Sequence, residues 1–557
     1  MQACADLPTS PTAPPAAPGV GRGWAVCEGL AILVLFALFA GQTPPAVNEA
    51  HYLAKARHFW DPTWCARDLF VSSRDAHGVY CALVGWLTCL FSFPIAAWCA
   101  RVFAWGSLAY AWQRLSSTLV PRRGAALLSA ALWIGLLDQA AMAGEWVVGG
   151  GEAKCLAYAL VLIALEQLTR NRWTSALALL GTATSCHVLV GGWSLVAAGV
   201  AWLACGSFRP PLLRLLPGTL LALLLALPGL VPALRLTSGI DPQIVAEAEW
   251  IYVYGRLSHH LVFHRLEPTA VAAHVALLIG WLGLAWATPC TLQPQQLGQR
   301  PLRGFVVGAV LLAMIGVALD QLLLGQWELS ARLLRYYWFR LSDALLPAGA
   351  ALALVGAMVR WWHDRPRLAR GLLVGSLLAA LLTVLPGVAR QGVLAPRDVD
   401  PQWRTLIRWQ QLTLEELPQH AHDWQDVCGW IRRETPRESL FITPRQQQTF
   451  RWWAERAEVV NVKDIPQDAP SVVEWQYRRE WLYPPDTGTR GLAAHGAAGL
   501  VELARRYGAD YIVVDEFLGK TLLALPIAYP PPHQRSAYRV YLVPQGSPEG
   551  AAPHDPR

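Results

Sequence analysis

Apolar runs about as long as a membrane-spanning helix recur along the first 390 residues of this chain. A helix needs about 20 apolar residues to cross the hydrocarbon core of a bilayer. Such runs lie at 24–42, 78–112, 124–142, 153–169, 174–190, 192–206, 212–234, 269–288, 304–324, 339–360 and 368–389. The run at 78–112 has room for two crossings broken near Pro94, or for one crossing and a re-entrant piece. We therefore expect a polytopic α-helical membrane protein with about 11 to 13 spans.

The composition excludes most other classes of protein. Only 15% of the 557 residues are charged and 54% are hydrophobic, whereas soluble proteins carry about 25% charged residues. The 11 cysteines are too sparse for a secreted disulfide scaffold. The net charge of +7 comes almost entirely from arginine and includes no basic tract, so no nucleic-acid partner is expected.

The distribution of arginine predicts the topology. Residues 1–23 are interpreted as a disordered lead-in because they are rich in proline and alanine, and the run at 24–42 is interpreted as an uncleaved span. Arginines cluster in the short connections near 114–123, 170–172, 209–214, 300–303 and 360–370. Basic connections face the cytoplasm, and alternation then places outer loops at 43–77, 141–152, 235–268 and 325–338.

The chain changes character after residue 389. Short β-type runs are predicted at 439–443, 459–463, 510–514 and 538–543. Amphipathic helical stretches are predicted at 424–434, 447–457, 472–481 and 499–507, and the proline-rich stretch 526–532 is predicted to be a loop. Strands alternating with helices favour an α/β domain with a largely parallel sheet. Residues 390–557 are therefore expected to form a soluble α/β domain on the outer side, which follows a membrane domain at 24–389.

The outer loops contain most of the unusual polar residues of the chain. Ionisable groups at membrane depth are costly, so they usually line a cavity or pair with one another. Their convergence under a soluble domain predicts an active site or binding cleft. The candidates are Glu49 and Asp68 in the first loop, Lys154 after the second, Glu247, Glu249, Arg256, His260 and His264 in the third, and Arg340 after the fourth.

Simpler interpretations of the same residues remain open. Aromatic and charged side chains beside a span are often interfacial anchors, and Glu152 and Lys154 are close enough in sequence to neutralise each other. The spacing of His260 and His264 fits a metal site if their segment is helical, but no third ligand follows from the sequence.

Two sets of residues resemble known families. The sequence NEAHY at 48–52 is similar to the Asp-Glu-x-x-Tyr type of motif that opens the first loop of the GT-C superfamily. The overall layout resembles its protein O-mannosyltransferase and lipid A aminoarabinose transferase branches. The leading aspartate of that motif is Asn48 here, and an amide cannot take up a proton. The phrases WIRRETPRESLFITP and RLSHHL resemble an uncharacterised bacterial multi-pass family of unknown function.

The GT-C resemblance implies an enzyme of the bacterial inner membrane that transfers a sugar from a polyprenyl-phosphate donor to an extracytoplasmic acceptor. It implies Glu49, or else Asp68, as the catalytic carboxylate. It implies Lys154, Arg256 and Arg340 as ligands of the lipid phosphate. Glu247 and Glu249 are then candidates for binding sugar hydroxyls or a divalent cation, which is the one cofactor considered.

Two other functions compete with this hypothesis. A transporter or flippase of a lipid-linked or polar substrate would usually show repeats and polar residues at the bilayer midplane. The sequence shows no repeat, and its polar residues crowd the outer mouth instead. A non-catalytic scaffold is the other alternative, and Asn48 in place of aspartate is what a degenerate transferase would carry.

Overall fold

Helices occupy most of the chain from Arg22 to Gly392, and a small sheet with flanking helices follows. The computed structural model describes residues 21–289, 298–392, 413, 416–445, 447–517 and 522–544. The helices of the first part are α1 (Arg22–Ala40), α2 (Glu49–Trp60), α3 (Leu69–Ser72), α4 (Gly78–Leu90), α5 (Phe93–Leu119), α6 (Ala125–Ala140), α7 (Ala153–Thr169), α8 (Trp173–Cys186), α9 (Val188–Ala204), α10 (Leu212–Leu234), α11 (Pro242–Trp250), α12 (Ser258–Leu261), α13 (Pro268–Ala287), α14 (Gln299–Leu322), α15 (Trp327–Leu334), α16 (Arg340–Asp364) and α17 (Pro366–Gly392). Shorter turns of π-helix and 3-10 helix occur at Ile251–Arg256, Gly206–Phe208 and Phe263–Arg265.

Six of these helices are long and apolar enough to cross a membrane: α1, α10, α13, α14, α16 and the part of α17 that ends at Pro386. The shorter helices α4, α6 and α9 are apolar as well. The chain is thus a polytopic α-helical membrane protein with a C-terminal domain that contains a sheet, as predicted. The total of 11 to 13 spans stays a prediction.

The structure places two segment boundaries more exactly than the sequence does. The stretch 78–112 divides into α4 and α5, and Pro94 stands in the first turn of α5, where its missing N–H costs no helical hydrogen bond. Helix α1 begins at Arg22, so the end of the predicted disordered segment is helical. Residues 1–20 of that segment lie outside the described residues.

Small residues bring the membrane helices into close contact. A Cβ added to Gly308 would lie 2.8 Å from the Cα of Ala197, and one added to Gly304 would lie 2.7 Å from the Cα of Ala201. Small residues spaced four apart allow helix backbones to approach each other in membrane proteins. Helices α14 and α9 therefore pack backbone against backbone along this stripe.

The C-terminal domain contains a mixed five-stranded sheet. Its elements are α18 (Leu417–Glu434), β1 (Leu440–Ile442), α19 (Phe450–Ala454), β2 (Ala457–Glu458), α20 (Ala469–Leu482), a 3-10 segment (Pro485–His495), α21 (Gly496–Tyr507), β3 (Tyr511–Asp515), β4 (Ile527–Tyr529) and β5 (Tyr538–Leu542). The strand order is β2-β1-β3-β5-β4. Strand β1 is parallel to β2 and to β3, whereas β5 is antiparallel to both of its neighbours.

The sheet differs from the largely parallel one that we expected. Strand β4 forms within the stretch 526–532 that was expected to be a loop, and only residues 530–537 connect it to β5. A parallel pair needs a crossover of a dozen or more residues, so this connection enforces an antiparallel pair. The helix predicted at 447–457 is shorter in the structure, where only α19 forms. The strand predicted at 459–463 is replaced by β2, which ends at Glu458, just before that stretch.

The C-terminal domain packs against two of the predicted outer loops. Strand β3 directs Ile512 and Val514 to one face of the sheet and Val513 to the other, because side chains alternate along a strand. The face with Ile512 buries a core that also contains Phe70 and Ile251 of the first and third predicted outer loops. This shared core places the domain over the ends of the membrane helices. Most residues between α17 and α18, including those around the predicted boundary at 390, lie outside the described residues or have side chains that are not described.

Candidate functional site

A cavity of about 620 Å³ lies where the predicted outer loops meet the C-terminal domain. All four predicted loops contribute to its wall, through residues within 47–77, 143–152, 236–260 and 335–337. The C-terminal domain contributes Gln448, Lys463 and Gln467 among others. Residues of the four predicted loops therefore lie around one cavity. We call this space the outer cavity.

The charges that line the outer cavity are mostly positive. Its cationic side chains are Lys154, Arg256, Arg335, Arg340 and Lys463, and its carboxylates are Glu145 and Glu152. A cavity lined mostly by one sign of charge concentrates ligands of the opposite sign. The outer cavity is therefore suited to an anionic ligand. Lys154, Arg256 and Arg340, which are the predicted phosphate ligands, all line it.

Glu145 links two of the cations. Its Oε2 accepts a hydrogen bond of 3.0 Å from Arg340 Nε, and its Oε1 lies 3.6 Å from Lys154 Nζ. Lys154 Nζ also lies 3.7 Å from Glu152 Oε2 and 3.4 Å from the centre of the Trp146 ring. In this cluster, carboxylates and aromatic rings orient both cations.

Arg340 is held from two further sides. Its Nη1 donates a hydrogen bond of 3.1 Å to Nε2 of His187, which must be unprotonated to accept it. Its guanidinium lies 3.9 Å from the centre of the Tyr337 ring. Tyr337 has a φ of 53°, in the left-handed region that bulky residues rarely adopt. Such backbone strain is concentrated at functional sites, and here it brings the ring against the guanidinium.

Two buried polar atoms of the outer cavity have no hydrogen-bond partner among the described residues. They are Nε of Arg256 and Oε1 of Gln448. More than nine in ten buried polar atoms in proteins are hydrogen-bonded, so a ligand or bound water is expected to complete this set. Burial raises the pKa of Glu152, although the charge of Lys154 opposes that shift.

Arg256 is the cation with the fewest protein contacts in this set. Its Nη2 donates a hydrogen bond of 3.2 Å to the backbone oxygen of Lys463. No carboxylate of the described residues lies within ion-pair distance of its guanidinium. Burial lowers its pKa, and the charge of Asp464 acts in the opposite direction. Arg256 therefore has unused donors that face the outer cavity.

Asp75 and His77 form a hydrogen-bonded pair at the wall of the outer cavity. Asp75 Oδ1 accepts hydrogen bonds of 2.8 Å from both the backbone N–H and the Nδ1–H of His77. The His77 ring lies 5.4 Å from the Tyr52 ring and 5.2 Å from the His187 ring, measured between centroids. Tyr52 and both histidines line the cavity.

Glu49, the first predicted catalytic carboxylate, does not line the outer cavity. Its two oxygens each lie 2.6 Å from a guanidinium nitrogen of Arg101, and they also accept backbone hydrogen bonds from Ala46 and Gly151. Gly150 passes so close that an added Cβ would lie 2.6 Å from Glu49 Cγ. The carboxylate is fully buried with every lone-pair direction engaged, so it is not available to a substrate.

Asp68, the second predicted carboxylate, is also outside the lining of the outer cavity. It caps α3 by accepting the backbone N–H groups of Phe70 and Val71. Its oxygens contact Nη1 of Arg451, and Oδ2 accepts the backbone N–H of Glu458. Asp68 therefore joins the first outer loop to the C-terminal domain.

Glu247 and Glu249, predicted to bind sugar hydroxyls or a divalent cation, lie outside the lining as well. Glu249 Oε1 accepts a hydrogen bond of 2.7 Å from Arg335 Nη1, and Glu247 Oε1 accepts one of 3.2 Å from the Tyr477 hydroxyl. The two carboxylates thus have different partners. Among the described residues, no group of three or more His, Cys, Asp or Glu is placed to hold a metal ion.

The helical spacing assumed for His260 and His264 is not present. Helix α12 ends at Leu261, and His264 follows in a 3-10 turn. His260 Nδ1 donates to the backbone oxygen of Ala143, whereas His264 is bonded to Asp320. Burial and the neighbouring His259 lower the pKa of His260 to about 3, so this ring is neutral. Of the two histidines, only His260 lines the outer cavity.

Two polar residues that organise the site were not among the predicted site residues. Arg101 lies inside the apolar stretch 78–112 and neutralises Glu49, and His187 lies inside the apolar stretch 174–190 and bonds Arg340. A lone ionisable residue within an apolar run is a functional candidate by default because it needs a partner inside the protein. That signal was available in the sequence for both residues.

Comparisons with known proteins give the following similarities. A family model described as a domain of unknown function (DUF6798) matches residues 422–482. A search of curated proteins gave no significant match. The chain is similar to the apo Archaeoglobus fulgidus oligosaccharyltransferase with a TM-score of 0.46 and 12% identity, over 88% of this chain and 69% of that chain.

Two further solved structures are similar. Cupriavidus metallidurans ArnT bound to undecaprenyl phosphate has a TM-score of 0.45 and 13% identity, over 94% of this chain and 98% of that chain. The Archaeoglobus fulgidus oligosaccharyltransferase AglB, in complex with an inhibitory peptide and a dolichol-phosphate, has a TM-score of 0.41 and 12% identity, over 88% of this chain and 69% of that chain. We infer the activity from the outer cavity itself.

Proposed function

We propose that this chain is a membrane glycosyltransferase that moves a sugar from a polyprenyl-phosphate donor to an acceptor on the outer face of a bacterial inner membrane. The observation that carries the proposal is one cavity in which cations outnumber carboxylates and Arg256 Nε has no hydrogen-bond partner among the described residues. A phosphate supplies acceptor oxygens for the cations, and sugar hydroxyls supply donors for the carboxylates. The resemblance of residues 48–52 to the GT-C motif supports the same chemistry.

In this proposal Lys154, Arg256 and Arg340 bind the lipid phosphate. A planar guanidinium can donate two parallel hydrogen bonds to a phosphate, and a lysine contributes a compact point charge. Negative charge develops on the phosphate as its bond to the sugar C1 breaks. Cations already oriented by their neighbours stabilise that charge without rearranging during the reaction.

Glu145 and Glu152 face the sugar in this proposal. Each carboxylate oxygen has two lone pairs and can accept a hydrogen bond from a sugar hydroxyl. Their charge also stabilises the positive charge that develops at C1, as carboxylates do in other glycosyl transfers. Glu49 and Asp68 have no role as a base here because both are fully engaged by arginines. Glu247 and Glu249 have no role because they lie outside the cavity lining.

The polyprenyl chain would reach the phosphate across an apolar part of the wall. Val188 and Leu189 at the start of α9 line the cavity beside Ala233 at the end of α10. Leu234, the next residue, is 63% exposed on the surface of a candidate membrane span. A hydrocarbon chain that lies along α10 is therefore continuous with the cavity.

Binding of undecaprenyl phosphate tests the phosphate site directly. The full chain in nanodiscs is expected to bind this lipid at least tenfold more tightly than undecaprenol, which lacks the phosphate. R256Q is expected to weaken binding about tenfold, since Arg256 has no carboxylate partner whose loss of pairing would complicate the result. R265Q is the matched control because Arg265 is exposed and lies outside the cavity lining. Equal binding of the two lipids, or wild-type affinity in R256Q, would overturn the proposal.

Turnover separates the enzyme from the alternatives. Undecaprenyl-phosphate-linked hexoses and pentoses, offered in turn, are expected to release undecaprenyl phosphate with at least one of the sugars. Movement of the intact lipid-linked sugar across the bilayer without cleavage would identify a flippase instead. Binding without cleavage or movement would favour the scaffold.

A further inference from the structure

The outer cavity contains a base that the sequence motif does not indicate. A sugar transfer to a hydroxyl needs a group that takes up the proton of that hydroxyl. Asn48 cannot do so, and Glu49 is closed off by Arg101. Glu145 and Glu152 line the cavity within ion-pair distance of Lys154, and the proposed function assigns both of them to the sugar.

His77 has the geometry of an oriented imidazole base. Its Nδ1–H donates a hydrogen bond of 2.8 Å to Asp75, so the lone pair of a neutral ring is on Nε2. The side chain of His77 is 12% exposed and lines the outer cavity. A carboxylate that fixes the imidazole tautomer in this way is the arrangement used by the Ser-His-Asp hydrolases.

The segment that carries the pair is held in place by the C-terminal domain. Gln467 Oε1 accepts the backbone N–H of Ala76, and its Nε2 lies 3.1 Å from the His77 ring. Burial alone would raise the pKa of Asp75, but the hydrogen bonds from His77 and the charge of Lys55 hold that pKa well below its ordinary value. Asp75 is therefore ionised and able to hold the Nδ1 proton.

Three titratable side chains lie next to the pair: Lys55, Tyr52 and His187. Lys55 lies on the side of Asp75 and donates hydrogen bonds to Ser73. Tyr52 packs against one edge of the His77 ring, and its pKa is raised, chiefly by burial, so it stays neutral. His187 packs on another side and accepts a hydrogen bond from Arg340. Within the described part of the chain, the hydrogen bonds of the His77 ring to Asp75 and Gln467 both involve Nδ1.

We infer that His77, oriented by Asp75, is the catalytic base of the transfer. This inference rests on the proposed function. The acceptor O–H proton passes to His77 Nε2 while the acceptor oxygen forms a bond to the sugar C1. The bond from C1 to the phosphate oxygen breaks, and its electron pair stays on the phosphate among Lys154, Arg256 and Arg340. The imidazolium then returns its proton to water, which restores the neutral ring.

Chemical modification tests the base without any sugar donor. Diethyl pyrocarbonate acylates an unprotonated imidazole nitrogen, and mass spectrometry of the full chain in nanodiscs can follow each histidine. His77 is expected to react in the wild type and to react at least threefold more slowly in D75N, because an asparagine can donate to Nδ1 and move the proton to Nε2. D61N is the matched control, since Asp61 is an exposed residue of the same loop. His422, whose side chain is 68% exposed, provides an internal rate standard.

The outcomes separate the two proposals. An unreactive His77, or equal reactivity in wild type and D75N, would overturn the role of the Asp75–His77 pair whether or not a lipid binds. Undecaprenyl phosphate is expected to protect His77 but not His422, and failure of protection would contradict the shared site. With a donor that turns over, H77Q is expected to lose 100-fold or more of the rate while binding undecaprenyl phosphate as the wild type does. Wild-type turnover in H77Q would overturn the inference and leave the proposed function standing.

Discussion

Arg451 Nη1 lies 3.1 Å and 3.0 Å from the two carboxylate oxygens of Asp68, 383 residues earlier in the chain. The same guanidinium also contacts Glu458 and Asp464, and all four side chains are buried. Asp464 is in turn 3.3 Å from His51, which lines the outer cavity. One buried ionic cluster therefore joins the C-terminal domain to the first outer loop beside the candidate site.

Removal of Arg451 should release the C-terminal domain. R451M leaves three buried carboxylates without their cation, and loss of one partner of a buried pair costs about 3–5 kcal/mol. We expect a large fall in thermal stability and a loss of undecaprenyl phosphate binding. R432Q should change stability by less than about 1 kcal/mol because its pair with Glu455 is on the surface. Equal stability of R451M and R432Q would contradict the assigned role of the cluster.

The stability of the same cluster should depend on pH through Glu458. Burial raises the pKa of Glu458 to about 7 from an ordinary value of 4.5, although Arg451 acts in the opposite direction. Between these two values the folded protein holds a proton that the unfolded chain releases. The stabilisation is therefore complete below about pH 4.5 and is lost as the pH rises through 7. Unfolding curves from pH 5 to 8 should show this fall in the wild type, and the dependence should be weaker in E458Q.

Glu49 should prove to be a structural residue. E49Q leaves Arg101 buried without a counter-charge, so we expect a loss of about 3–5 kcal/mol in stability. The folded fraction should keep its affinity for undecaprenyl phosphate, because neither residue lines the outer cavity. If E49Q instead kept wild-type stability and lost turnover, Glu49 would be a catalytic carboxylate.

A larger side chain at Gly308 should destabilise the contact between α9 and α14. G308V places a branched side chain against Ala197 Cα, where even a Cβ would lie at 2.8 Å. Overpacking of this kind costs about 1–3 kcal/mol, and we expect a corresponding fall in thermal stability. G280A is the matched control because a Cβ at Gly280 meets nothing within 4 Å. If G308V is as stable as G280A, the two helices do not pack in this way.

Much of the site was predictable from local sequence. Lys154 and Arg340 are charged residues at the ends of apolar runs and Arg256 lies in a predicted loop between two runs, and ionisable residues at membrane depth need a polar space inside the protein. All three line the outer cavity. The same rule, applied to Arg101 and His187 within their apolar runs, would have added both of them to the site.

The roles of the carboxylates were not predictable in the same way. Glu49 and Glu152 are both acidic residues in predicted outer loops, next to spans. Arg101 from α5 pairs with the first, whereas the second lines the cavity 3.7 Å from Lys154 Nζ. Which carboxylate is engaged depends on partners that are distant in sequence, and no local pattern encodes those distances.

The sequence by itself determined that the chain is a polytopic membrane protein, because its repeated apolar runs of about 20 residues match the thickness of the hydrocarbon core. It also determined which segments carry the polar residues of the cavity. The tertiary structure decided how those residues pair: Arg451 engages Asp68, Arg101 engages Glu49, and Asp75 holds His77. The physical reason is that a buried charge is stabilised by whichever opposite charge the fold brings within about 3 Å, and only the folded chain sets that distance.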